Sequence, residues 1–190
     1  MKIILASQSE PKKKVLSQIF GDGFVSVNST YEEDNTLDVM PTELVMKHAL
    51  GKAKDVAASH PRDVVIGADT VIVCDDEILG KPHTADNAKL MLEKISGKTI
   101  EVVSGISVIR GENIITDNVI TEVKIKNLSE KEIDAYVETG EPLDKAGAFA
   151  IQGLGAFLVE EVKGCYFNIV GMPLFRLAEI LEEFDVHVFD

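Results

Sequence analysis

Val64-Val65-Ile66-Gly67-Ala68-Asp69-Thr70-Val71-Ile72-Val73-Cys74 is the stretch on which the reading of this chain turns. It is apolar and largely β-branched, broken only by Gly67, Asp69 and Thr70. A run of this kind reads as a strand buried on both faces. Asp69 is the anomaly within it. A carboxylate buried without a partner costs several kcal/mol or gives up its charge. A strand that tolerates one either aims it at a cavity or a cation, or uses it structurally on backbone N–H groups. Both readings stand on the strand alone.

Outward from this strand, the pattern alternates strands and helices. Residues 2–6 and 24–27 read as short strands around a helix that starts near Ser9 and Pro11, shows Val15, Leu16, Ile19 and Phe20 on one face, and ends at Gly21. Residues 29–38 form an acidic, polar loop. Thr42 is the expected cap of a second helix running to about residue 58, with Val45, Ala49, Ala53 and Val56 on one face. Asp75-Asp76 marks a turn, and residues 84–95 a third helix. Residues 100–109 and 114–126 read as a hairpin about Arg110-Gly111-Glu112-Asn113. Ser129 and Glu132 form a capping box for a fourth helix closed by Gly140. After a glycine-rich segment with embedded strands, Pro173 opens a last helix, and residues 186–189 read as a final edge strand. Hairpins inside an otherwise alternating pattern predict an α/β fold with a mixed, twisted sheet and flanking helices. No repeat and no linker interrupts it, so residues 1–190 are expected to form a single domain.

The chain has 190 residues, 19 basic and 32 acidic side chains, and a net charge of −13. Hydrophobic residues make up 45%, enough for a core and too many for a disordered chain. The acidic balance argues against nucleic acid as a partner, which needs a basic face. No apolar run approaches a membrane span and the N-terminal run is too short for a signal peptide, so no membrane partner is expected and a cytoplasmic protein is. Cys74 and Cys165 stand far apart and give neither a disulfide framework nor a zinc pattern. His48, His60, His83 and His187 have no zinc spacing, and neither a nucleophile elbow nor a phosphate-binding glycine loop is present. A homodimer is compatible with the chain.

Several lysines are candidates for anion chemistry. Lys52 follows Val45 and Ala49 on the inward face of its helix, either functional or with its stem along the core and its amine in water. Lys12-Lys13-Lys14 sits at a helix start, a seat for phosphate or a solvated face. Lys81 and Lys145 each stand in a turn beside glycine, in Gly80-Lys81-Pro82 and Asp144-Lys145-Ala146-Gly147. Glu32-Glu33-Asp34 is either a solvated loop or a source of hard oxygen ligands for Mg²⁺ or Mn²⁺. Together these suit metal-assisted chemistry on a phosphate compound without identifying one.

Six ordered stretches resemble the Maf family of nucleoside triphosphate pyrophosphatases. Leu5-Ala6-Ser7-Gln8-Ser9, Gly67-Ala68-Asp69-Thr70-Val71, Leu79-Gly80-Lys81-Pro82, Ser96-Gly97-Lys98-Thr99, residues 140–153 and Asn168-Ile169-Val170-Gly171-Met172-Pro173 carry the likeness. The family's Pro-Arg-Arg is replaced by Glu10-Pro11-Lys12, and lysine keeps the charge without the bidentate fork. Cys165 stands where the family commonly has Asp. The resemblance implies two lobes around a deep cleft, similar to inosine triphosphate pyrophosphatases, and divalent-metal-dependent hydrolysis of dTTP and UTP between the α- and β-phosphates. It implies Asp69 as proton acceptor, Glu33 as metal ligand, Lys52 and Lys81 in the catalytic site, and Ser7, Lys12, Thr70, Lys145 and Gln152 on the substrate. The alternatives are 7-methyl-GTP hydrolysis, whose branch carries Gln at the place of Thr70, and a non-catalytic regulator of septum formation.

Overall fold

The computed structural model describes residues 1–189. Seven strands form one mixed sheet in the order β2-β1-β3-β5-β6-β7, with β4 paired to β3. In chain order the strands are β1 (Ile3–Ala6), β2 (Phe24–Val27), β3 (Val64–Cys74), β4 (Glu77–Leu79), β5 (Thr99–Arg110), β6 (Asn113–Ile125) and β7 (Val159–Lys163). The helices are α1 (Glu10–Phe20), α2 (Pro41–Ala57), α3 (Ala85–Ile95), α4 (Glu130–Glu138), α5 (Tyr166–Ile169) and α6 (Leu174–Glu182). β1 runs parallel to both β2 and β3, while β3–β4 and β6–β7 are antiparallel. The expected mixed α/β sheet is therefore present.

The chain forms two compact units. The first comprises residues 1–70, 104–119 and those from Gly171 onward; the second comprises residues 71–103 and 120–170. In the first unit, Ile4, Ala6, Ala53, Val56, Val65 and Ile109 make one apolar cluster. Helix α2 lies close on the strands here because two positions lack a Cβ. A Cβ at Gly67 would stand 2.2 Å from the Ala49 carbonyl oxygen, and one at Gly105 2.3 Å from the Val45 carbonyl group. These glycines set the depth at which α2 sits, and with it the position of Lys52. In the second unit, α3 and α4 cover a core that includes Ile72, Leu92, Ile95, Ile100, Val123, Ile133 and Phe149.

Local chemistry explains most boundaries. Asp75 and Asp76 both take positive φ, 51° and 62°, and join β3 to β4 in a two-residue turn of the hairpin type. Thr84 caps α3 by accepting from the Asn87 N–H, and Ser129 and Glu132 make the expected capping box on α4. Three expectations are corrected. Ser9 occupies the N-cap position of α1, but its side chain makes no capping bond. Thr42 does not cap α2; the helix starts earlier, with Met40 at the cap position and Pro41 in the first turn, where its missing N–H costs nothing. Residues 186–189 form no strand; Val186 is buried, and its N–H donates to the Leu181 carbonyl at 3.0 Å.

Gly67→Ala is expected to lower stability by about 1–3 kcal/mol or more, the usual cost of forcing extra volume into a packed interface. A urea melt measures this, and an unchanged midpoint would show that α2 does not rest on this strand.

Candidate active site

Strand β3 carries Asp69 inward, 8% exposed, on the unit-one side of its length. Helix α2 brings Lys52 to it, Nζ to Oδ1 2.7 Å. The same ammonium receives Glu33 Oε1 at 2.6 Å. Two carboxylates thus converge on one cation, with Lys52 and Asp69 largely shielded and Glu33 part-exposed. Burial pushes the Lys52 amine down, but Asp69 and then Glu33 outweigh it, and its pKa is raised above the ordinary lysine value. A permanently charged ammonium has no lone pair to accept a proton. Of this pair, the carboxylate of Asp69 is the group able to act as a base.

The acidic triplet divides. Glu33 faces Lys52, whereas Asp34 turns to its own loop and accepts from the Thr36 N–H at 3.0 Å and hydroxyl at 2.6 Å, which holds its pKa below the usual carboxylate range. Glu32 is exposed. Among the described residues, no group of three or more His, Cys, Asp or Glu side chains gathers in metal-binding geometry. The lysine triplet divides too. Lys13 pairs with Glu10 at 2.7 Å and Lys14 is exposed, whereas Lys12 reaches Gly171, where an added Cβ would stand 2.7 Å from Lys12 Nζ and 2.8 Å from Thr70 Oγ1. Lys12 and Thr70 therefore meet over a bare glycine, whose φ of +92° also disfavours any side chain. Thr70 Oγ1 is bonded to the fully buried Ser104 Oγ at 2.9 Å. Ser7 is half-buried after β1, its hydroxyl accepting from the Ser9 N–H at 3.1 Å.

In the second unit, the two lysine-bearing turns are stitched together. The Gly147 N–H donates to the Gly80 carbonyl and the His83 N–H to the Leu143 carbonyl, each at 3.0 Å. Lys145 pairs with Asp144 at 2.5 Å, and Lys81, exposed, adds to the field that keeps Asp144 below its ordinary pKa. Gln152 is exposed on the turn that follows. That turn hangs on Glu141, which accepts from Tyr136 Oη at 2.8 Å and from the N–H groups of Leu154 and Gly155 at 3.0 and 2.9 Å. Burial works against the charged form of Glu141, yet those backbone donors prevail and its pKa is lowered.

Sequence reading missed Glu141, Ser104, Gly171 and Tyr31. Tyr31 is bonded to His48 at 3.1 Å, and burial with the nearby Glu33 carboxylate raises its phenol above the ordinary value. Helical spacing offered a signal for the last of these. His48, Gly51, Lys52 and Asp55 share one stripe of α2.

Lys52→Met is expected to cost about 3 kcal/mol at neutral pH, the low end for a broken buried pair because Glu33 keeps access to water. In the parent, the raised lysine contributes fully below the ordinary lysine range, and its contribution is lost only as pH rises through its own higher value. Thermal melts across pH measure both. A variant as stable as the parent at pH 7 would contradict the pairing.

A family model described as Maf-like protein matches residues 2–184. The dTTP/UTP pyrophosphatase of Methanococcoides burtonii is 49% identical over 191 aligned positions, covering 100% of this chain and 98% of that protein. The protein of that name from Methanosarcina mazei is 46% identical, covering 100% and 97%, and the one from Clostridioides difficile 45%, covering 100% and 98%. The solved structure of the Staphylococcus aureus Ham1 protein is 16% identical with a TM-score of 0.46, covering 83% of this chain and 98% of that one. With a family match over almost its whole length and relatives this similar end to end, the chain belongs to the Maf family.

Proposed function

We propose that this chain is a nucleoside triphosphate pyrophosphatase that hydrolyses dTTP and UTP to the monophosphate and pyrophosphate. The observation that carries the proposal is Asp69, a carboxylate on a buried apolar strand, held at 2.7 Å by a lysine that also takes Glu33. The names borne by relatives at 45–49% identity supply the substrate class.

In this reading Asp69 accepts the proton of the water that attacks the α-phosphorus. Lys52 fixes the carboxylate and offsets part of the site's negative charge without exchanging protons itself. Lys12 answers the negative charge of the triphosphate, and Lys81 and Lys145 serve the same end as point charges. Ser7 adds a hydroxyl at the phosphate end. Glu33 is the carboxylate proposed to hold a hard divalent cation, since Mg²⁺ or Mn²⁺ is commonly held by one or two carboxylates completed by substrate phosphates. Bound there, the cation would neutralise charge on the triphosphate and its pyrophosphate leaving group. Thr70 and Gln152 are the proposed determinants of base choice. A hydroxyl and an amide can match the O2, N3–H and O4 edge of thymine or uracil, and a base that leaves such groups unpaired is disfavoured. Among the described residues no helix is long and apolar enough to cross a membrane, and the two cysteines are free, in accord with the cytoplasmic setting proposed here.

Hydrolysis of an equimolar panel of dTTP, UTP, CTP, ATP, GTP and 7-methyl-GTP tests the proposal. dTTP and UTP should lead, with activity abolished by EDTA and restored by Mg²⁺ or Mn²⁺. A preference for 7-methyl-GTP would move the chain to the sister activity, and full activity in EDTA would remove the metal role of Glu33. Asp69→Asn should fall by roughly 10²–10⁴ in kcat while remaining folded; near-normal turnover would exclude Asp69 as the base. Lys12→Ala should mainly raise KM, whereas Lys13→Ala and Lys14→Ala should change little.

A further inference from the structure

Glu33 sits in residues 28–40, a stretch with neither helix nor strand, yet its carboxylate meets Lys52 at 2.6 Å. Something other than secondary structure must hold that stretch in place, because a functional group on an unanchored loop loses the fixed geometry that catalysis requires. The holding groups lie on α2. Asp55 takes three bonds from the loop: Oδ2 from Ser29 Oγ at 2.8 Å and from the Thr30 N–H at 2.7 Å, and Oδ1 from Thr30 Oγ1 at 3.0 Å. Ser29 Oγ in turn accepts from the Tyr31 N–H at 3.0 Å. One helical turn away, the Tyr31 ring lies against Gly51, where an added Cβ would stand 2.3 Å from the ring. Its hydroxyl is bonded at 3.1 Å to Nδ1 of His48, which is fully buried. Glu33 follows two residues later.

His48, Gly51, Lys52 and Asp55 are spaced i, i+3, i+4 and i+7, so they form one stripe along α2. Each member receives a successive part of the loop. Asp55 takes Ser29 and Thr30, Gly51 and His48 take Tyr31, and Lys52 takes Glu33. We propose that Asp55, Gly51, His48 and Tyr31 are positioning residues that lock the loop onto α2 and so deliver the Glu33 carboxylate to the metal-dependent reaction. The inference rests on the pyrophosphatase reading for its catalytic consequence, but not for the lock itself.

Hydrogen exchange of the whole, metal-free protein tests the lock without any assay of activity. The Thr30 and Tyr31 amides, both donors inside the lock, should exchange slowly in the parent and at least tenfold faster in Asp55→Asn and Gly51→Ala, while β3 amides keep their protection. Kinetics test the delivery. Asp55→Asn and Gly51→Ala should raise the Mg²⁺ concentration needed for half-maximal turnover by roughly 10–100-fold, the usual cost of removing an outer support from a metal ligand, and Tyr31→Phe should do so less because the ring stays seated. In a Glu33→Gln background the same substitutions should have no further effect on that concentration. Unchanged exchange at Thr30 and Tyr31 would overturn the lock. Equal effects with and without Glu33 would overturn delivery through Glu33. A parent protein that hydrolyses no nucleotide with Mg²⁺ or Mn²⁺ would refute the pyrophosphatase reading and with it the catalytic consequence, while the exchange result still decides the lock.

Discussion

One ammonium group meets two carboxylates in the first unit. Asp69 is the main group that offsets the burial of the Lys52 ammonium, and Lys52 gives the carboxylate on the buried strand its ionic partner. The pair forms only if α2 lies close to the sheet, which the missing side chains at Gly67 and Gly105 permit. Glu33 joins only because the preceding loop is tied down along the same helix. Losing Asp69 or Lys52 strands the partner's charge, whereas Glu33 keeps access to water.

The arrangement is also compatible with the anionic substrate proposed for this acidic chain. A net charge of −13 repels a triphosphate at long range, so attraction has to be local. In the first unit, Lys12 is directed to the bare backbone at Gly171 beside Thr70, while its neighbours Lys13 and Lys14 pair with Glu10 or face solvent. In the second, two turns that each looked weak are joined by backbone bonds and place Lys81 and Lys145 about Asp144. In the proposed reaction, a divalent cation would supply further positive charge beside the acidic residues.

The strands, the hairpin turns and the capping box on α4 were legible in the sequence because each is decided by local chemistry. Apolar runs want burial, Asp75-Asp76 tolerates positive φ, and Ser129 with Glu132 satisfies orphan N–H groups. Asp69 and Lys52 were legible as misfits, polar groups in places that disfavour them. What escaped was decided by tertiary neighbours. Thr42 was a plausible cap, but Pro41 fits the first turn better and moved the boundary. Residues 186–189 carry an alternating pattern, yet no strand partner is paired with them and Val186 is buried without a ladder. Glu141 lies in the stretch that carries the family likeness, but only the folded turn reveals three donors aimed at it. The division of labour within Glu32-Glu33-Asp34 and within Lys12-Lys13-Lys14 was beyond the sequence for the same reason: neighbouring residues point in different directions.

The most direct measurement of the central claim is the fate of the attacking oxygen. Hydrolysis of dTTP with Mg²⁺ in ¹⁸O-enriched water, followed by mass spectrometry of both products, reports which phosphorus is attacked. If water deprotonated by Asp69 attacks the α-phosphorus, one ¹⁸O enters dTMP and the pyrophosphate stays unlabelled. Label in pyrophosphate, or release of inorganic phosphate with dTDP, would place the attack elsewhere and contradict the account.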